Sequence, residues 1–186
     1  DPVRNRKTWE GTPDSSELPQ SMKEDLGELG KDLNEIVDPV DWANADIDGR
    51  KEMLDAANDR IREEYGLPQR DLSYRSDMQP NEYGGYDPNT GDIELNTRLV
   101  LENPDPEEAI KTLAHENFHD YQQQALDGAP GDPYAHSRLN DWIEGDANYD
   151  PNDWESYSES YWNNPLEIDA RAVEREVYMG YEEVKR

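Results

Sequence analysis

DPEEAIKTLAHENFHDYQQQALDG, residues 105–128, reads as one amphipathic helix. Asp105 is placed to cap it, Pro106 suits its first position, and Gly128 follows Leu126 as a stop. Ile110, Leu113, Ala114, Phe118 and Tyr121 form an apolar face that anchors the helix in a core. His115 and His119, two of the three histidines in the chain, stand four residues apart along the edge of that face. That spacing carries two imidazoles to one metal ion. Glu116 stands beside them, where its carboxylate reaches a water held by the ion. Zinc lowers the pKa of such a water towards ~7, and Glu116 can take its proton as it attacks a carbonyl.

Outward from this helix, the predicted elements are helical on both sides of a short sheet. Ser21-Met22-Lys23-Glu24 has the form of a capping box, and Met22, Leu26, Leu29, Leu33 and Ile36 recur at helical spacing, with Gly27 and Gly30 weakening the helix. A second helix is expected over 48–65, stopped by Gly66 and Pro68. Leu72 and Tyr74 alternate with polar residues, as do Ile93 and Leu95, with Pro88, Asn89 and Gly91 as a turn between them, which predicts a small antiparallel sheet. Residues 127–160, rich in Asp, Gly, Asn and Ser, are too acidic and broken for regular structure throughout. The last helix opens at Asn164-Pro165 and carries Leu166, Ala170, Val173, Val177, Tyr181 and Val184 on one stripe. The expected fold is therefore α+β. It comprises a linker or loose arm over 1–16 and one domain over 17–186, with N-terminal helices in 17–70, the sheet in 71–101, the histidine-bearing helix in 105–126 and the last helix in 164–185.

Composition narrows the function. The 45 Asp plus Glu against 18 Lys plus Arg give −27, which repels phosphate backbones and anionic lipid, so neither nucleic acid nor a membrane surface is an expected partner. No cysteine is present, so thiolate zinc sites and disulfides are excluded. No stretch approaches the ~20 apolar residues of a membrane span. The start at Asp1, without an initiator Met or a signal peptide, reads as a cut inside a longer polypeptide. Five Trp and eleven Tyr supply amphipathic rings for a core and a cleft. Of these, Trp142, Tyr149, Trp154, Tyr157, Tyr161 and Trp162 are candidates to line the cleft.

A catalytic zinc needs a third protein ligand and an open fourth position. Glu167, in the first turn of the last helix, is one candidate, although Asn164-x-x-Glu167 is itself a capping box. His136 is the other. The acidic run Glu144, Asp146, Asp150, Asp153 and Glu155 lacks the spacing of a calcium loop and reads as solvated. For the donor that stabilises an oxyanion, Tyr157, Tyr161, Tyr178, Arg171 and His136 are all candidates.

Together, LAHENFHDYQ (113–122) and NNPLEIDARA (163–172) resemble the gluzincins, and more narrowly the compact zincin-like domains of bacterial polymorphic toxins and secreted effectors. The resemblance covers about residues 83–184. It implies a zinc-dependent metallopeptidase with His115, His119 and Glu167 as ligands and Glu116 as general base. It also implies a strand around Ile93–Asn96 that borders the cleft and pairs with an extended protein or peptide substrate. A secreted or delivered domain with a neutralising immunity protein as partner would follow. Where thermolysin-like members carry an Asp four residues after the ligand Glu, this chain has Arg171, leaving Asp169 or Asp120 to orient a histidine. Two readings compete with this one: a zinc hydrolase using His136, and a non-enzymatic acidic module that binds a basic partner or mimics a charged one.

Overall fold

Helices from the two ends of the chain, α1 (Gln20–Ile36) and α7 (Pro165–Glu183), lie against each other with their backbones in contact. A Cβ on Gly30 would stand 2.0 Å from the Val177 carbonyl oxygen, and one on Gly180 would stand 2.1 Å from that of Gly27. Only hydrogen fits at these two crossing positions. Gly30, which costs α1 some helix propensity, therefore permits the backbones of α1 and α7 to touch.

The computed structural model describes residues 8–11, 17–129, 131–150 and 159–184. Between α1 and α7 come α2 (Pro39–Asn44), α3 (Ile47–Tyr65), β1 (Leu72–Arg75), β2 (Gly84–Tyr86), β3 (Ile93–Asn96), a π-helical turn (Thr97–Leu101), α4 (Glu107–Leu126), α5 (Pro133–Ala147) and the short α6 (Glu159–Trp162). The fold is mixed α+β. Helix α4 packs against α3, α5, α7 and the sheet, which makes the histidine-bearing helix the centre of the molecule. Among the described residues no helix is long and apolar enough to cross a membrane.

Several expectations are corrected. The sheet is mixed, with strand order β1-β3-β2: β1 runs parallel to β3, and only β2 is antiparallel to it. The turn at Pro88–Gly91 does close a hairpin, with Gly91 at φ 76, but it joins β3 to Gly84-Gly85-Tyr86. That three-residue strand has no apolar alternation to reveal it, and alternation cannot tell a strand which way its partner runs. As the central strand, β3 has both edges taken, so it is not the strand that accepts a substrate backbone.

Helix α1 starts at Gln20 with Pro19 before it and no side-chain cap, so Ser21 is not a capping residue. Buried Leu18 and Met22 anchor this end instead. Helix α2 escapes a periodicity search because six residues are too few. Asp38 caps it through the Val40 and Asp41 amides, and its buried Trp42 donates to the Asn103 carbonyl.

The stretch 127–160 is not irregular throughout, for α5 occupies its middle. Asp132 caps that helix through the Ala135 amide and accepts the Tyr121 hydroxyl at 2.6 Å. The buried stripe of α5 includes Arg138, Trp142 and Gly145. It is invisible to an apolar count because Arg138 is buried on account of a partner: its Nε lies 2.8 Å from Asp169 Oδ2, which also accepts the Trp142 indole.

The expected loose arm contains a core residue. Trp9 is 1% exposed and sits among Tyr65, Tyr121 and Tyr134 at ring distances of 5.5–6.4 Å. Its carbonyl accepts the Tyr134 amide and its indole donates to Asp25.

Candidate metal centre

The apolar face of α4 is buried as its periodicity requires, with Ile110, Leu113, Ala114 and Phe118 fully covered. One side of the helix is held by a polar network. Arg62 of α3 reaches Asn117 Oδ1 at 2.9 Å and Asp120 at 2.9 Å, and the Tyr86 hydroxyl donates to the other Asp120 oxygen. This pins α4 to α3 and β2, and it leaves the edge bearing His115 and His119 towards α7.

There the two imidazoles meet Glu167. Its Oε2 lies 3.1 Å from His115 Nε2, its Oε1 lies 3.1 Å from His119 Nε2, and the two Nε2 atoms are 3.1 Å apart. Among the described residues this is the one group of three metal-type donors that converges, all within 4.8 Å. Glu167 is 3% exposed, and its carboxylate goes to the histidines; the Asn164 side chain caps α7 through the Leu166 amide.

The donor set fits a zinc ion. Two imidazole nitrogens and one carboxylate are the ligand types zinc takes, and two nitrogens at Zn–N distances of ~2.0–2.1 Å in a tetrahedron stand ~3.3 Å apart. Two Nε2 lone pairs and a carboxylate turned on one another need a cation or a proton between them.

A second layer of groups sets the tautomers. Gln122 Nε2 donates to the Leu166 carbonyl at 3.0 Å, which turns its Oε1 to His119 Nδ1 at 2.9 Å. An amide oxygen only accepts, so Nδ1 carries the proton and Nε2 keeps its lone pair for the site. Glu174 Oε2, at 3.5 Å from His115 Nδ1, does the same for the other ring. Neither residue was expected. Asp169 is taken by Arg138 and Trp142, and Asp120 by Arg62 and Tyr86. The spacings that mark the true partners are three residues after His119, and seven after Glu167, two turns along one face of α7.

The electrostatics follow from this crowding. Burial pushes the Glu116 carboxyl above the usual carboxylate range, against the pull of His115 and His119 and with help from the charges of Glu167 and Glu174. Burial acts against protonation of His115, yet its bonds to Glu167 and Glu174 hold its pKa well above that of a free imidazole. Burial would also raise Glu167, but His119 and His115 hold it well below the carboxylate range, so it stays ionised.

Of the oxyanion candidates, Tyr161 is at the site. Burial raises its pKa, as do the nearby charges of Glu167 and Glu116. Tyr178 instead donates to Glu182 and lies under the Lys111 ammonium. Arg171 stacks on Trp162 and donates to its carbonyl. His136 is exposed on α5 and is not part of the converging group. Of the candidate cleft rings, Trp142 is core, while Tyr149 and Trp162 are exposed. Glu144, Asp146 and Asp150 are exposed. Asp153, Trp154, Glu155 and Tyr157 lie outside the described residues.

No protein-family model matches the chain, and no curated protein or solved structure matches it at significance.

Proposed function

We propose that this chain is a zinc-dependent metallopeptidase. The observation that carries the proposal is the convergence of His115 Nε2, His119 Nε2 and the Glu167 carboxylate, 3.1 Å from one another, beside a half-buried Glu116. Zinc, when bound, supplies a Lewis acid that polarises a carbonyl and acidifies water. Glu116 takes the proton of the attacking water and returns it to the leaving amine, a task for which a carboxyl raised by burial is suited. Tyr161 donates its hydroxyl to the oxygen on which charge develops. An extended substrate adds to the outer edge of β2, the strand next to α4, since β3 has no edge free. Delivery as an effector, with a neutralising protein as partner, belongs to the same proposal and rests on the sequence resemblance.

Metal analysis of the purified chain and a peptide-hydrolysis assay test the proposal together. About one zinc per chain is expected, lost in His115→Ala and His119→Ala. Glu116→Gln should keep the metal while abolishing hydrolysis. A chain that takes up no zinc at neutral pH, or a Glu116→Gln variant that still hydrolyses peptides, overturns it.

A further inference from the structure

In a chain with a net charge of −27, one groove gathers cations. Its volume is about 740 Å³, and its walls are the start of α1, Lys111 of α4 and one face of α7. Ile168, Ala172 and Met179 are among its apolar lining, and Lys23, Lys111, Arg171 and Arg175 bring its positive charge. Lys23 faces Glu17 at 3.2 Å and Lys111 faces Glu107 at 2.5 Å. The two arginines face no carboxylate within ion-pair distance among the described residues. Arg171 stacks on Trp162 and donates to its carbonyl, while its Nη1 is buried without a partner. Arg175, one turn further along α7, is exposed.

Like charges four apart on a helix repel each other, and an anion held between them relieves that repulsion. A guanidinium pair with free N–H groups is also suited to the two oxygens of a carboxylate. Of the acidic residues on the same walls, Glu17 faces Lys23 and Glu174 faces His115, and the third is Glu176. Glu174 joins the groove to the metal centre, since it lines one and contacts a histidine of the other. The repulsion of the chain as a whole is screened beyond ~8 Å at physiological salt, so the charge inside the groove decides what enters it.

We propose that this groove takes an acidic side chain of the peptide substrate, clamped by Arg171 and Arg175, and so directs cleavage to bonds near a Glu or Asp. The proposal rests on the peptidase reading for its substrate, but the binding it asserts needs no metal.

The test titrates chelator-treated chain, by calorimetry at physiological ionic strength, with three peptides. These are acetyl-Ala-Glu-Ala-Glu-Ala-amide, its glutamine counterpart, and the glutamine peptide with a free C-terminal carboxylate. The glutamate peptide is expected to bind about tenfold tighter than the glutamine amide, the factor that one charge-assisted hydrogen bond supplies. Arg175→Glu, at an exposed position where folding is not at stake, and Arg171→Gln should each remove that preference. Equal binding of the glutamate and glutamine amides, a preference that survives both substitutions, or tight binding of the free-acid peptide alone would overturn it. Zinc uptake on the same preparations separates the two readings. Uptake without glutamate preference sinks the groove alone, and glutamate preference without uptake sinks the peptidase and leaves an anion-binding groove.

Discussion

Gln122 touches both sides of the candidate metal centre: its Oε1 stands 2.9 Å from His119 Nδ1, and its Nε2 donates to the carbonyl of Leu166, the residue before Glu167. One amide thus fixes the ring of one proposed ligand and the backbone that carries another. Gln122→Met, close in volume and unable to accept the Nδ1 proton, should weaken zinc binding about 10–100-fold. Chelator competition measures the affinity, and thermal unfolding of the metal-free form checks that the fold survives. An unchanged affinity in a folded variant would remove Gln122 from the site.

Much of this centre is legible in the sequence because its parts are local. Four-residue spacing on an amphipathic helix puts His115 and His119 on one face, although Pro106 and not Asp105 stands at its N-cap, without a side-chain cap. Asn164-Pro165 starts the helix that carries Glu167. The partners that come from other elements are not legible. Arg171 occupies the position where the family pattern leads one to look for an orienting carboxylate, and Glu174 does that work from a turn further on. The same limit hid α5, whose buried stripe depends on the Arg138–Asp169 pair, and the parallel pairing of β1 with β3. Helical spacing records which face is buried, and carries no record of what meets it.

The α1–α7 crossing separates two glycines that look alike in sequence. Gly30→Ala places a methyl 2.0 Å from the Val177 carbonyl oxygen, whereas a methyl at Gly27 meets nothing within 4 Å. Gly30→Ala should therefore destabilise by about 1–3 kcal/mol through overpacking. Gly27→Ala should be neutral or stabilising by up to about 1 kcal/mol, through helix propensity. Denaturant unfolding of the two variants measures both, and equal effects would contradict the crossing.

Trp9 offers a clean choice between an arm and a core residue. A tryptophan on a loose arm contributes nothing to stability, while one enclosed by Tyr65, Tyr121 and Tyr134 should cost about 3–5 kcal/mol when cut to alanine. Because Tyr121 lies on α4, the loss should extend to the histidine-bearing helix. Hydrogen exchange of the α4 amides in Trp9→Ala should show that loosening, and unaltered stability and exchange would return residues 8–11 to the status of a linker.

Tyr161 separates binding from chemistry. Its hydroxyl lies in the field of Glu167 and Glu116, and the oxyanion role proposed for it asks for a donor that is not a ligand. Tyr161→Phe removes one hydrogen-bond donor and keeps the ring, so zinc content should be unchanged and KM nearly so, while kcat falls about 10²–10³-fold, the cost of losing one oxyanion donor. A fall confined to KM would make Tyr161 a wall of the cleft. Loss of zinc would instead show that its hydroxyl serves to hold the site together, and either result would hand the oxyanion to another donor.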